Sequence, residues 1–157
     1  MAIHHLSKEQ YLPITIKEAW DFFSSPANLA KITPPELGFV VLTKFNGEPI
    51  YTGMEIDYIV KPLFSIPLRW KTGITWVMEP NTFIDNQMKG PYKLWEHTHN
   101  FTSVPGGVKM NDDVKYELPL GFLGEIAHVL IVKKKLEEIF SFRFQTMIKL
   151  FGEYKIK

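Results

Sequence analysis

Residues 107–118, GVKMNDDVKYEL, and residues 122–151, FLGEIAHVLIVKKKLEEIFSFRFQTMIKLF, decide the fold that we expect for this chain. The first stretch alternates apolar and polar residues, which predicts a β-strand with one buried face. The second repeats its apolar residues at the helical period, which predicts an amphipathic helix roughly 45 Å long. Because the other face of this helix is polar, we expect it to pack on a sheet rather than to span a membrane.

The apolar face of the predicted helix forms one stripe at 100° per residue. It contains Phe122, Val129, Val132, Leu136, Ile139, Phe140, Met147 and Leu150.

Two charged residues fall on these apolar faces. Asp112 shares a strand face with Met110 and Val114, and a buried carboxylate must be paired, hydrogen-bonded or protonated. Arg143 falls inside the helix stripe, and its guanidinium stays charged at any ordinary pH. We therefore expect an anion within about 4 Å of Arg143, unless the side chain extends out to solvent. That anion is either an inward aspartate, Asp112 or Asp85, or the acidic group of a ligand.

The upstream sequence predicts the rest of the sheet. A first strand over 3–12 precedes a helix that starts at Thr15, with Glu18 completing a capping box, and a short second helix follows from Pro26. Five more stretches alternate with period two, and their short turn-like separators imply antiparallel neighbours. These strands are predicted over 38–45, 54–61, 67–79, 82–89 and 93–103. The predicted fold class is α+β, as a single domain over 1–157.

Composition excludes several classes of function. The 157 residues include no cysteine, which excludes disulfides, thiolate nucleophiles and thiolate metal sites. The net charge of +1 gives no field that would attract nucleic acid, and no apolar run is long enough to cross a membrane. The first residues lack the pattern of a secretory signal, so we expect a cytoplasmic location. Nothing in the sequence indicates a cofactor or an oligomeric state.

Several stretches carry a resemblance to a known superfamily. They are PPELGFVV (34–41), PLRWKTGITWVMEP (67–80), FIDNQMKGPYKLWEHTHNF (83–101), MNDDVKYELPLGFLG (110–124) and IFSFR (139–143). The sequence resembles an uncharacterised bacterial branch of ligand-binding proteins in the START-like, helix-grip (SRPBCC) superfamily. That resemblance implies a strongly curved antiparallel sheet of about seven strands wrapped around the C-terminal helix, with an apolar cavity between them. It implies no catalytic residues, because this branch has no agreed substrate.

The inward strand faces supply the residues that we expect around such a cavity. In 82–89 the inward set is either Phe83, Asp85 and Gln87 or the alternate set beginning with Ile84, and we favour the first. The same rings could instead pack as an aromatic core, so a cavity of about 300 Å³ or more is the test. The predicted ligand-binding residues are Tyr58, Trp70, Thr72, Trp76, Asp85, Gln87, Trp95, His97, His99, Phe101, Asp112, Tyr116 and Arg143.

His97 and His99 lie two residues apart, and therefore on one face of a strand. With Asp112 they could bind one metal ion, act as general acid and base, or form hydrogen bonds of purely structural value. We expect no metal there, and we assign no role to His4 and His5.

The sequence thus predicts the binding of a small hydrophobic ligand, aromatic or acyl and possibly acidic, in an internal cavity. One alternative is an enzyme similar to a polyketide cyclase, dehydratase or hydrolase, with His97, His99 and Asp112 as acid–base groups. A third interpretation is a partner-binding protein with a vestigial cavity, which would need an exposed apolar patch. Binding is favoured because the sequence shows no nucleophile–base motif. The predicted partner is the ligand, with no nucleic acid and no membrane span.

Overall fold

Seven antiparallel strands form one curved sheet in the order β1-β7-β6-β5-β4-β3-β2. A computed structural model describes residues 2–62 and 64–156. The strands are β1 (His4–Leu12), β2 (Val40–Val41), β3 (Glu55–Val60), β4 (Leu68–Met78), β5 (Thr82–Lys89), β6 (Leu94–Val104) and β7 (Gly107–Glu117). Neighbouring strands in the sheet also follow one another in the sequence, except for β1. It pairs with β7, although nearly the whole chain lies between them in sequence.

Helical segments follow β1 and β7, as the sequence predicts. They are α1 (Ile16–Phe23), two 3-10 turns (Pro26–Ile32 and Pro35–Leu37), α2 (Phe122–Ala127), a π-helical segment (His128–Val132) and α3 (Lys133–Phe151). The last three run on without a break and together form the C-terminal helix. The capping box at Thr15 and Glu18 is confirmed, with both side-chain-to-backbone hydrogen bonds present. Among the described residues no helix is both long enough and apolar enough to cross a bilayer.

Strand β2 is shorter than the predicted 38–45, for a reason visible in its hydrogen bonds. The backbone N–H groups of Leu42 and Thr43 both donate to the carbonyl of Asp57, at 2.8 and 3.3 Å. The Thr43 hydroxyl also accepts from the Asp57 N–H. Leu42 and Thr43 therefore both lie opposite Asp57, and the regular ladder of hydrogen bonds ends after Val41.

The C-terminal helix does not bury the whole stripe that the sequence predicts. Leu136, Phe140 and Met147 are buried, but Phe122 and Val129 are 79% and 75% exposed. A π-helical turn contains more residues than an α-helical turn, so the segment at His128–Val132 rotates the faces on either side of it relative to one another. His128 turns inward as a result, and the prediction that Phe122 and Val129 face the sheet is wrong.

Strand β4 also changes face along its length. Ile74 pairs with Asp85 and Trp76 pairs with Ile84, which leaves Thr75 without a partner in a β-bulge. The extra residue shifts the alternation by one. Trp76 is therefore exposed, contrary to its predicted inward position, while Val77 packs against the core.

Candidate functional site

A pocket of about 220 Å³ lies between the concave face of the sheet and the C-terminal helix. Its aromatic wall comes from Tyr58, Trp70, Tyr92 and Trp95, and the helix contributes Leu136, Ile139 and Phe140. One carboxylate, two imidazoles and one guanidinium line the same space, those of Asp85, His97, His99 and Arg143. The pocket does not reach the cavity volume of about 300 Å³ that the sequence analysis takes as the test. Rings that the strand pattern did not assign to the pocket also face it. Phe39 and Tyr92 are two of these.

Eight of the thirteen predicted site residues line the pocket. They are Tyr58, Trp70, Thr72, Asp85, Trp95, His97, His99 and Arg143. Since Asp85 is among them, β5 presents the inward face that we favoured. Inward orientation of a strand residue is thus what sequence periodicity predicts well, provided that the strand is regular.

The other five have different surroundings. Trp76 faces solvent because of the bulge, and Phe101 is buried in the core beside Trp20 and Phe83. The amide of Gln87 donates to the carbonyl of Tyr92 and accepts from its N–H, which holds the turn between β5 and β6. Asp112 lies buried next to the two pocket histidines rather than on the pocket surface, and Tyr116 forms a hydrogen bond with His128.

Tyr92 is one of the pocket residues that sequence reasoning missed. It lies between β5 and β6, outside any alternating stretch, so strand periodicity could not assign it a face. Its ring packs against Trp70 and Trp95 at centroid distances of 5.6 and 4.8 Å. The signal that could have identified it is its position three residues before Trp95, in the aromatic GPYKLWEHTHNF block.

The polar wall of the pocket contains Asp85, His97 and His99, and the buried Asp112 lies directly behind the two histidines. The Nε2 of His97 and the Oδ1 of Asp112 are 2.8 Å apart, and the Nε2 of His99 and the Oδ2 of Asp85 are 2.7 Å apart. The Nδ1 of His99 also approaches Asp112 Oδ1 to 3.2 Å, without hydrogen-bond alignment. The two imidazole rings stack at 3.7 Å. His99 thus lies between two carboxylates.

Arg143 completes this wall with a positive charge. Its Nη2 lies 3.5 Å from Asp112 Oδ1, and both side chains are nearly buried, at 11% and 12% exposure. The guanidinium also packs against the rings of Phe23 and Phe140. The prediction of an anion within 4 Å of Arg143 is confirmed, and that anion is Asp112.

The surroundings shift the pKa of each group in the wall. Burial alone would raise the pKa of Asp112, but the charge of Arg143 and the contacts with both histidines hold it well below the ordinary value. The pKa of Asp85 is lowered in the same way, since its bond to His99 and the nearby positive charges together outweigh burial. Burial and the neighbouring His99 lower the pKa of His97. For His99, contacts with both aspartates overcome burial and raise the pKa.

We expect acid to unfold the protein partly through Asp112. A carboxyl whose pKa is lower in the folded chain contributes stability above its unfolded pKa of about 3.9, and loses it as the pH falls toward the folded value. The free energy of unfolding, measured by urea titration, should therefore fall between about pH 5 and pH 3. Asp112→Asn should make that fall shallower, whereas Asp113→Asn, at an exposed neighbour, should not. If the free energy of unfolding falls equally steeply with decreasing pH in the wild type and in Asp112→Asn, the prediction is wrong.

The same wall offers donor atoms for a metal ion. Asp85, His97 and His99 each have one such atom within 4.8 Å of the others. The sequence hypothesis had Asp112 as the third ligand, but Asp112 is engaged by Arg143 as well as by His97. A cation here would lie close to the Arg143 guanidinium, which disfavours metal binding at this wall.

Comparison with solved structures shows the same architecture in other proteins. A START superfamily protein from Mycobacterium smegmatis superposes with a TM-score of 0.68 at 16% identity, covering 94% of this chain and 99% of that one. Ara h 8.0201 matches with a TM-score of 0.60 at 16% identity, covering 94% and 99%. Protein CV1439 from Chromobacterium violaceum superposes with a TM-score of 0.70 at 12% identity, and the match covers 96% of this chain and 98% of that one. The chain has the START-like, helix-grip fold.

No family model and no curated protein matches the sequence. At such low identities the START-like likeness shows the fold alone, so the role of the pocket must be argued from its own residues.

Proposed function

We propose that this START-like chain binds a small hydrophobic ligand, aromatic or acyl, that carries an acidic or other hydrogen-bond-accepting group. The observation that carries the proposal is a pair of buried N–H groups, Trp70 Nε1 and Arg143 Nε. Neither has a hydrogen-bond partner among the described residues, and both residues line an otherwise largely apolar pocket. An unsatisfied buried donor costs about 1–3 kcal/mol, and such donors are rare in folded proteins. An acceptor oxygen of a ligand would satisfy them.

The volume of the pocket limits the size of the ligand. An apolar cavity of about 150 Å³ holds benzene, whereas pockets for drug-sized ligands begin near 300 Å³. The pocket of 220 Å³ falls between these values, which supports a single substituted ring or a short acyl chain.

The rings of the pocket favour a flat ligand. Trp70 stacks on Tyr58 at 5.9 Å and meets Trp95 edge-on at 5.4 Å, so the aromatic wall contains the two ring-packing geometries that a further ring would also adopt. The Tyr58 hydroxyl is already bonded to Thr72, at 3.0 Å, whereas Trp70 Nε1, Arg143 Nε and His99 Nδ1 have no hydrogen-bond partner among the described residues. Of these three atoms, the Trp70 and Arg143 nitrogens carry a hydrogen in every protonation state of the pocket. The START superfamily membership of a structural neighbour supports ligand binding in general and names no ligand.

Calorimetric titration with phenylacetate and phenethylamine tests the proposal. The two probes have similar volume, but only phenylacetate offers acceptor oxygens. We expect phenylacetate to bind and phenethylamine not to bind. Trp70→Phe keeps most of the ring and deletes one N–H, so it should weaken phenylacetate binding about tenfold.

The matched control is Trp76→Phe, which makes the same change on the exposed part of β4 and should leave binding unaltered. Native mass spectrometry of protein purified without added ligand gives an independent measurement. Equal binding of both probes, or equal effects of the two tryptophan variants, would contradict the proposal. So would a bare protein mass together with no probe binding.

A second candidate function is acid–base catalysis in the same pocket, as in a cyclase, dehydratase or hydrolase. The two carboxylate–imidazole pairs favour it, because such pairs orient an imidazole for proton transfer. If a β-polyketone or aryl ester probe turns over, and His97→Gln abolishes turnover while phenylacetate still binds, the function is catalysis rather than binding alone.

A further inference from the structure

A second cluster of histidine and carboxylate side chains lies outside the pocket, where the start of β1 meets the C-terminal helix. His4 begins β1, Glu125 belongs to α2, and His128 begins the π-helical segment. His4 lies opposite Tyr116 of β7, so the cluster rests on the sheet at its β1 edge. None of its residues lines the pocket, and the sequence pattern assigned His4 no role.

The three side chains converge. The Nε2 of His4 lies 3.0 Å from Glu125 Oε2, and the rings of His4 and His128 stack with centroids 3.5 Å apart. One donor atom from each residue lies within 4.8 Å of the other two. Glu125 and His128 are three residues apart, a spacing that places both side chains on one face of a helix.

We propose that His4, Glu125 and His128 bind one divalent transition-metal ion, with Zn²⁺ the metal that suits them. Two imidazoles and one carboxylate are an established donor set for zinc and for related metals. Donor atoms around tetrahedral zinc lie about 3.3 Å apart, so binding requires the stacked rings to turn apart. His4 and Glu125 are 18% and 32% exposed, which permits this movement and leaves room for water as a further ligand.

Two features of the surroundings support a metal here. The Tyr116 hydroxyl lies 2.8 Å from His128 Nε2, which fixes the ring and leaves Nδ1 for the ion, as outer partners do at metal sites. The π-helical segment turns His128 inward to this position, and π-turns inside helices occur frequently at functional sites. The cluster contains no arginine, unlike the polar wall of the pocket, although the charge of Lys133 also acts on His128.

Binding would join the first strand to the C-terminal helix. Those elements are far apart in sequence, and an ion bound only by the folded chain stabilises it. This inference is independent of the proposed ligand, since it uses none of the residues of the pocket.

Titration of the full-length chain, without a histidine tag, with ZnCl₂ tests the proposal. We expect one high-affinity Zn²⁺ per chain, a higher Tm with Zn²⁺, and visible absorption when Co²⁺ replaces it. Glu125→Gln and His4→Ala should each weaken Zn²⁺ binding at least tenfold. His5→Ala, the exposed neighbour on the opposite strand face, should have no effect.

His97→Gln distinguishes this site from the pocket. If His97→Gln abolishes zinc binding while His4→Ala and Glu125→Gln do not, the ion belongs to the pocket and the proposal is wrong. Absence of binding at about 100 μM ZnCl₂, or several weak sites insensitive to Glu125→Gln, would also overturn it. Glu125 and His4 are both partly exposed, so these variants should fold, and circular dichroism checks that they do.

Discussion

Replacing Arg143 with methionine is expected to lower the free energy of unfolding by about 3 kcal/mol. Arg143 and Asp112 are both nearly buried and lie 3.5 Å apart, so the change leaves a buried carboxylate without its permanent positive partner. The two histidines that contact Asp112 keep the loss at the lower end of the range measured for broken buried pairs. Urea unfolding at pH 7 measures the difference.

The matched control is Arg69→Met, which breaks an exposed pair with Asp57 at 3.3 Å. Exposed ion pairs contribute little, so this variant should change the free energy of unfolding by less than about 1 kcal/mol. Similar losses for the two methionine variants would show that the buried position of Arg143 has no special effect.

A double variant separates the contribution of the Arg143–Asp112 ion pair to stability from that of the neighbouring histidines. The sequence suggests replacing both Arg143 and Asp112 with apolar residues, but in the structure this would leave His97 without its 2.8 Å partner. Arg143→Met with Asp112→Asn removes both charges and keeps an oxygen that can accept from His97. We expect this double variant to recover most of the lost stability. If it is less stable than Arg143→Met alone, the ion pair does not explain the loss.

Replacing Met147 with alanine is the second large expected effect, a loss of about 2–5 kcal/mol in the free energy of unfolding. Met147 has no exposed surface and packs in the core formed by the sheet, α1 and α3. Truncation removes apolar contacts and leaves a cavity in a region with little freedom to collapse. Thermal and urea unfolding of the variant and the wild type measure this loss of stability.

Val129→Ala is the control, because the sequence pattern places Val129 and Met147 on the same helix face. Val129 is 75% exposed, so its truncation should change stability by less than about 0.5 kcal/mol. Comparable losses at Met147 and Val129 would mean that the helix face is continuous and that the π-helical segment does not rotate it.

The sequence by itself determined the element order, the antiparallel sheet and the inward placement of His97, His99 and Arg143, whereas it only favoured the inward placement of Asp85. These depend on local chemistry, since side chains alternate in a regular strand and a charged residue in an apolar stripe needs a partner. The capping box at Thr15 is local in the same sense.

Only the tertiary structure decided the features that depend on an irregularity or on distant elements. The bulge at Thr75 turns Trp76 outward, and the π-helical segment turns Val129 outward and His128 inward. One additional residue in a strand or a helical turn moves every later side chain of that element to a different face, and no periodic pattern marks where it occurs. The meeting of His4 with Glu125 likewise requires β1 to pair with β7, a contact between segments that lie far apart in the chain.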